Sequence, residues 1–164
     1  MHKDSGLDRK TINENRGHSD NIDLTQEKSL DNSFILRNLR RFFEEYGKKF
    51  DVHYAILFGS YAREENNPLS DIDIAVKLGK NGDNLVKLAY ELELIIGSNF
   101  DLVNVNDLDP VMLFEVYSDG ILIFCKNLGE YYDDYVVAIG KYLDFSYILN
   151  KYKREIFDGI SRSD

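Results

Sequence analysis

Asp71-Ile72-Asp73 opens one apolar run of this chain, and Gly59-Ser60 closes the run before it. These residue types, in this order, can handle phosphate and metal. On an extended strand, residues two apart project from the same face, so the two carboxylates stand side by side. Such a pair repels itself unless a proton or a cation intervenes, and a hard divalent cation shared with substrate phosphates relieves the repulsion. Gly59 follows the apolar stretch His53-Tyr54-Ala55-Ile56-Leu57-Phe58, where the lack of a Cβ lets backbone approach a ligand. Ser60 is expected to open a short helix, offering backbone N–H groups and a hydroxyl to an anion such as a triphosphate. Arg63, one turn on, can reach a phosphate or pair with carboxylates such as Glu64 or Asp73, and both readings stay open. The plain alternative for Asp71 and Asp73 is a solvated strand face; their coupling to Gly59-Ser60 weighs against it.

The elements that position these residues are legible from periodicity. Strands are expected at about Val52 to Phe58, Asp71 to Leu78, Phe100 to Val105 and Ile121 to Cys125. Ile35, Leu39, Phe42, Phe43 and Tyr46 recur at helical spacing, with Asn32 or Ser33 as cap and Gly47 as stop. A second helix is expected from about Asn84 to Ile96, with Leu85, Leu88, Leu92 and Ile95 on one stripe and Gly97 closing it. Gly79 to Gly82 reads as a turn, Pro110 starts a short helix to about Tyr117, and a last helix runs from about Glu130 to Ile156. Helices and strands around one core make the fold class α+β (mixed α/β), with a small sheet of about four strands. Residues 1–33 are poor in large apolar side chains and are expected to form a disordered polar tail, with a helical turn near Leu24 to Leu30. Residues 34–164 then form the single domain.

Composition excludes several classes. The formal charge of −9 and isoelectric point near 4.8 disfavour direct nucleic-acid binding, which relies on Lys and Arg. Cys125 alone allows no internal disulfide, and His2, His18 and His53 have no zinc-ligand spacing. With no membrane-length apolar stretch and no apolar signal region, a cytoplasmic protein is expected. Lys77 shares a face with Asp71 and Asp73 by alternation, yet lies too far along the strand to be a phosphate ligand. Tyr131, Tyr132 and Tyr135 read as a helix start packing on the sheet rather than a binding platform, and Cys125 as a core residue.

Gly59-Ser60-Tyr61-Ala62-Arg63 followed by Ser70-Asp71-Ile72-Asp73-Ile74 resembles the signature of the DNA polymerase β-like nucleotidyltransferase superfamily, in particular its minimal nucleotidyltransferase (MNT) branch. The similarity covers about Val52 to Cys125, with Tyr142-Leu143-Asp144-Phe145 a weaker match. Phe100-Asp101-Leu102-Val103 fits the third carboxylate strand of that family; by itself Asp101 is only a polar residue at a strand start. The resemblance implies that Asp71 and Asp73 bind two magnesium ions, that Gly59 and Ser60 cradle the triphosphate with Arg63 as a further candidate for it, and that Asp101 completes the metal site and helps deprotonate an acceptor hydroxyl. It implies in-line attack on the α-phosphorus of a nucleoside triphosphate, ATP above all, with release of pyrophosphate. Many relatives carry Gly after the Ala-Arg pair; here Glu64 and Glu65 follow, which adds negative charge near the anion site or extends the helix outward. MNT proteins resemble antitoxins that transfer AMP to a tyrosine of a HEPN-type toxin, so a HEPN-like partner is implied, and an oligomer is possible. Two alternatives stand beside it: a small-molecule nucleotidyltransferase of the antibiotic-modifying kind, and a non-catalytic module that neutralises its partner by contact.

Overall fold

The computed structural model describes residues 32–67, 69–79, 84–97 and 99–161, with side chains as far as residue 155. The tail expected over residues 1–33 lies outside these except for Asn32 and Ser33, and most of the Gly79 to Gly82 turn lies outside them as well. Helix α1 (Asn32–Tyr46) is set by Ile35, Leu39, Phe42 and Phe43, whose spacing puts all four on one buried face. Strand β1 (Val52–Phe58) follows, then a single helical turn α2 (Gly59–Ala62), β2 (Ile72–Leu78), α3 (Asn84–Ile96) and β3 (Phe100–Asn104). A 3₁₀ turn over Val105–Asp107 leads to α4 (Pro110–Asp119), β4 (Ile121–Cys125) and the long α5 (Leu128–Ser161). Asp109 caps α4 by accepting from the backbone N–H groups of Val111 and Met112, with Pro110 in the first turn.

The sheet order is β3-β2-β1-β4. β1 runs antiparallel to both neighbours, whereas β2 and β3 are parallel, joined by the α3 crossover. One face of the sheet is covered by α1 and α3, which meet Val52, Ala55, Leu57, Ile72, Ile74 and Val76. The other packs Tyr54, Ile56 and Ala75 against residues of α4 and α5, including Val116, Tyr117, Tyr131 and Ala138. A register shift between Val52 and Tyr54 explains why these two residues, though two apart, face opposite sides of the sheet.

Element positions match the sequence expectations closely, and the differences are local. Val105 falls in the 3₁₀ turn instead of the third strand. Ile95 is 47% exposed, and Ile96 takes its place against the core beside Leu88 and Leu92. The last helix is longer at both ends than Glu130 to Ile156. Asp71 precedes β2 rather than starting it. Lys77 is tied into the fold, bonding Asp134 of α5 at 3.1 Å and Asn106 at 3.0 Å. Tyr131 is buried and Tyr135 half-buried against Tyr117, as expected of a helix packing on a sheet, whereas Tyr132 turns outward at 59% exposure. Cys125 lies partly buried within the second core, and burial pushes its thiol pKa up. Among the described residues no helix is long and apolar enough to cross a membrane.

Candidate active site

Asp73 is the centre of the arrangement. It is the second residue of β2, and its Cα stands opposite Phe58 in β1 on one side and Asp101 in β3 on the other. Residues in register across a sheet share a face, so Asp73 and Asp101 project together. The lateral pairing thus comes from the parallel β2·β3 register, which a spacing rule within one strand does not report. Asp71 enters from the preceding loop and is exposed. That loop is closed by Asn67 and Ser70, whose hydroxyl accepts from the Asn67 N–H at 2.9 Å while the Ser70 N–H donates to the Asn67 carbonyl at 2.9 Å. Ile72 N–H then donates to the Asn99 carbonyl at 3.1 Å, which starts the β2·β3 pairing just where the carboxylates meet.

Gly59 sits directly against this cluster. Its φ is +69°, and a Cβ built on it would fall 2.0 Å from Asp73 Oδ2. Only a residue without a side chain allows both the left-handed backbone and the approach. The helical turn begins at Gly59 itself, with Phe58 as an extended cap that makes no side-chain hydrogen bond, so Ser60 is inside the turn rather than its cap. The turn ends at Ala62, and Glu64 takes φ +57° while Glu65 N–H returns to the Ser60 carbonyl at 2.9 Å. The helix therefore is not extended by the two glutamates. Glu64 occupies a left-handed position just past a helix end, where glycine is the usual choice, and this accounts physically for the Gly expected of many relatives there.

The electrostatics follow from this crowding. Asp73 is half-buried, and its carboxyl pKa is raised first by burial, then by the negative charges of Asp101 and Asp71, with Arg63 acting the other way. Arg63 is exposed and donates from Nε to Glu65 Oε2 at 3.0 Å; this bond, and more weakly Glu115 and Asp119 near the end of α4, hold its pKa up. The carboxylate beside Arg63 is Glu65 rather than Glu64. Glu115 and Asp119 were not singled out by the sequence, since nothing in their spacing announces that α4 ends beside α2.

Among the described residues no three His, Cys, Asp or Glu side chains are gathered tightly enough to hold a metal ion by themselves. Magnesium does not require such a cage, because it is commonly held by one or two carboxylates together with substrate phosphates. The donors here are hard carboxylate oxygens in mutual repulsion, which is the chemistry such an ion satisfies.

Residues 37–128, more than half of the chain, match the family model described as Polymerase beta, Nucleotidyltransferase. The chain belongs to this nucleotidyltransferase family. Relatives include a candidate protein adenylyltransferase of Methanocaldococcus jannaschii, 37% identical over 75 residues that make up 44% of this chain and 81% of that one. A second candidate adenylyltransferase of the same organism is 36% identical over 78 residues, covering 46% of this chain and 91% of its own. Among solved structures, a toxin–antitoxin crystal structure with AMP-PNP aligns with 74% of this chain and 98% of its own, at 22% identity and a TM-score of 0.55. A structure of the tri-AMPylated Shewanella oneidensis HEPN toxin in complex with MNT antitoxin aligns over 77% and 98%, at 21% identity and the same TM-score of 0.55. These two likenesses establish a shared nucleotidyltransferase fold. The protein is a nucleotidyltransferase, and the Gly59, Asp73 and Asp101 grouping falls inside the matched segment.

Proposed function

We propose that this nucleotidyltransferase moves AMP from ATP to a tyrosine hydroxyl of a partner HEPN-type toxin and serves as its antitoxin. The observation that carries the reading is the Asp73–Asp101 register beside a glycine that leaves no room for a Cβ. The names of the relatives, and the AMPylated toxin bound to an MNT antitoxin in a protein of the same fold, support the choice of nucleotide and acceptor.

In this reading the backbone of Gly59 and the backbone and hydroxyl of Ser60 cradle the triphosphate, and Arg63 leaves Glu65 to meet it. Asp71, Asp73 and Asp101 would hold two magnesium ions, whose charge would offset that of the phosphates and of the oxygens that become more negative during transfer. Asp101, at the outer strand of the site, takes the proton from the acceptor hydroxyl. A bond forms between the tyrosine oxygen and the α-phosphorus, the bond from that phosphorus to the bridging oxygen breaks, and pyrophosphate leaves. Positioning and charge neutralisation supply most of the acceleration.

The test is incubation of the purified chain with magnesium and each α-labelled nucleoside triphosphate, with and without a HEPN-type toxin, beside an Asp73→Asn variant. Label from ATP on a toxin tyrosine, mapped by mass spectrometry and absent with the variant, is the expected result. A stable complex that acquires no label from any nucleotide would refute transfer and leave neutralisation by contact.

A further inference from the structure

α5 keeps two faces. Tyr131, Tyr135, Ala138 and Tyr142 are turned toward α4 and the sheet, with Tyr131 and Ala138 buried and Tyr142 stacked on Phe114 at 4.3 Å. On the outward side Tyr132, Val136, Gly140, Leu143 and Tyr147 recur at intervals of four or three residues, forming a second stripe about 22 Å long. The four large side chains of that stripe are 59%, 68%, 60% and 68% exposed. A monomer gains nothing from such a row of apolar groups in water.

Gly140 is the informative member. It lies in the middle of a helix of 34 residues, where glycine costs about 1 kcal/mol relative to alanine. A Cβ there would meet nothing within 4 Å, so packing inside the monomer does not require glycine. Its lack of a side chain leaves a notch in the stripe, one helical turn from the Leu143 knob.

We infer that this stripe is the interface of a homodimer in which two copies of α5 pack antiparallel about a two-fold axis near residues 141 and 142. That register sets Leu143 over the partner's Gly140 and Val136 against the partner's Tyr147, each contact occurring twice by symmetry. It also opposes the charges at the two ends of the stripe. Asp133 flanks its first turn and Lys151 lies beyond its last, and antiparallel pairing brings Asp133 of each copy to the partner's Lys151. Neither is committed to an ion pair within the described chain, whereas the neighbouring carboxylates are, Glu130 with His53 at 2.7 Å and Asp134 with Lys77 at 3.1 Å. A parallel arrangement would instead put Asp133 level with Asp133 and Lys151 level with Lys151, with no opposite charge opposed. The stripe is thus complementary to itself in one orientation.

The experiment is sedimentation velocity of the full chain across a range of micromolar concentrations, without toxin or nucleotide. A monomer–dimer equilibrium is expected. Leu143→Glu should raise the dissociation constant at least about a hundredfold, since it places an unpaired carboxylate in the apolar seam twice per dimer. Its far-ultraviolet circular dichroism and melting temperature should stay unchanged, because Leu143 packs on nothing in the monomer's core. Asp133→Lys should weaken association about tenfold, and adding Lys151→Glu should restore most of the loss. A chain that remains monomeric throughout, a dimer indifferent to Leu143→Glu, or failure of the double charge reversal to restore association would each overturn the proposal. Loss of toxin binding on Leu143→Glu by a chain that is monomeric alone would assign the stripe to the toxin instead. None of these readouts depends on nucleotide transfer, so a failure here and a failure of the proposed activity can be told apart.

Discussion

Replacing Gly59 by alanine separates two effects that usually travel together, because the chain supplies its own control. Gly59 and Gly97 both adopt positive φ, +69° and +86°, and an alanine at either incurs the left-handed penalty of about 1–2 kcal/mol. They differ in surroundings: a Cβ at 97 meets nothing within 4 Å, whereas one at 59 falls 2.0 Å from Asp73 Oδ2. Normal contact begins near 3.4 Å, so the carboxylate must withdraw by more than an ångström. A carboxylate can do that by rotating, and the added loss of stability is therefore small. Both variants should melt a few degrees below the parent, at about 3–4 °C per kcal/mol for a domain of this size. Activity should divide them. A shift of about 1 Å in a positioned group can cost on the order of 100-fold in rate, so Gly59→Ala should lose about two decades of adenylyl transfer while Gly97→Ala retains the parental rate. Thermal unfolding followed by fluorescence, with transfer measured from α-labelled ATP well below the melting temperatures, reads both quantities. Equal rates for the two variants would refute the placement of Gly59 and Asp73 at the reacting centre.

Four further outcomes follow from the geometry. Asp73 has a raised folded-state pKa, so between its unfolded value near 4 and that raised value the folded state holds more protons than the unfolded; stability should fall as pH rises through this window, and Asp73→Asn should abolish that fall while abolishing transfer, as melting curves across pH would show. Glu64→Gly relieves a left-handed glutamate at φ +57° and should stabilise the chain by about 1 kcal/mol in denaturant unfolding, with activity kept or raised as a negative charge leaves the anion site. Tyr54→Phe removes a fully buried hydroxyl that donates to Asp134 at 2.6 Å and meets Tyr117, a cluster in which burial drives the Tyr54 pKa far up and that of Tyr117 to about 12; the cost should be about 2 kcal/mol by denaturant unfolding, with the transfer rate little changed. Chelation by EDTA should stop transfer without shifting the melting temperature by more than a degree or two, because the carboxylates are exposed or half-buried in a fold that is complete without the ion; a large loss of stability would mean that the metal is structural.

The strands and most helices were legible because burial imposes the periods that sequence reading detects. Val52 to Phe58 and Asn84 to Ile96 end where the expected glycines, Gly59 and Gly97, stand. The misreadings have one physical source, which is that neighbours in space override neighbours in sequence. Ile95 and Ile96 are both apolar, and only the angle at which α3 meets the sheet decides that Ile96 packs. Asp71 and Asp73 suggest a pair on one strand, but the start of β2 is fixed by the Ile72–Asn99 hydrogen bond, which leaves Asp71 in the loop. Asp101 stands out in the sequence only through family resemblance. Its role as the in-register neighbour of Asp73 depends on a parallel pairing across α3 that no local pattern encodes.

The same reasoning explains what kind of machine this architecture makes. Asp73 is held in an environment that disfavours its charge, so the site keeps a local instability that a cation with phosphates can relieve, a common cost of function. Its supports lie on rigid elements: β1 and β2 hold Gly59 against Asp73, and the β2·β3 register aligns Asp101. Arg63, in contrast, rests on the exposed surface in a weak contact with Glu65, which leaves it able to exchange a side-chain carboxylate for a phosphate at little cost. A rigid carboxylate pair beside a movable cation suits a nucleotide that must bind, give up its nucleoside monophosphate to an acceptor and release pyrophosphate. The exposed stripe of α5, whose Tyr132, Val136, Leu143 and Tyr147 are each more than half exposed, lies outside the grouping of Gly59, Asp73 and Asp101. If a second copy occupies that face, the protein acceptor is recognised elsewhere, and Leu143→Glu should leave adenylyl transfer to the toxin intact while the dimer dissociates.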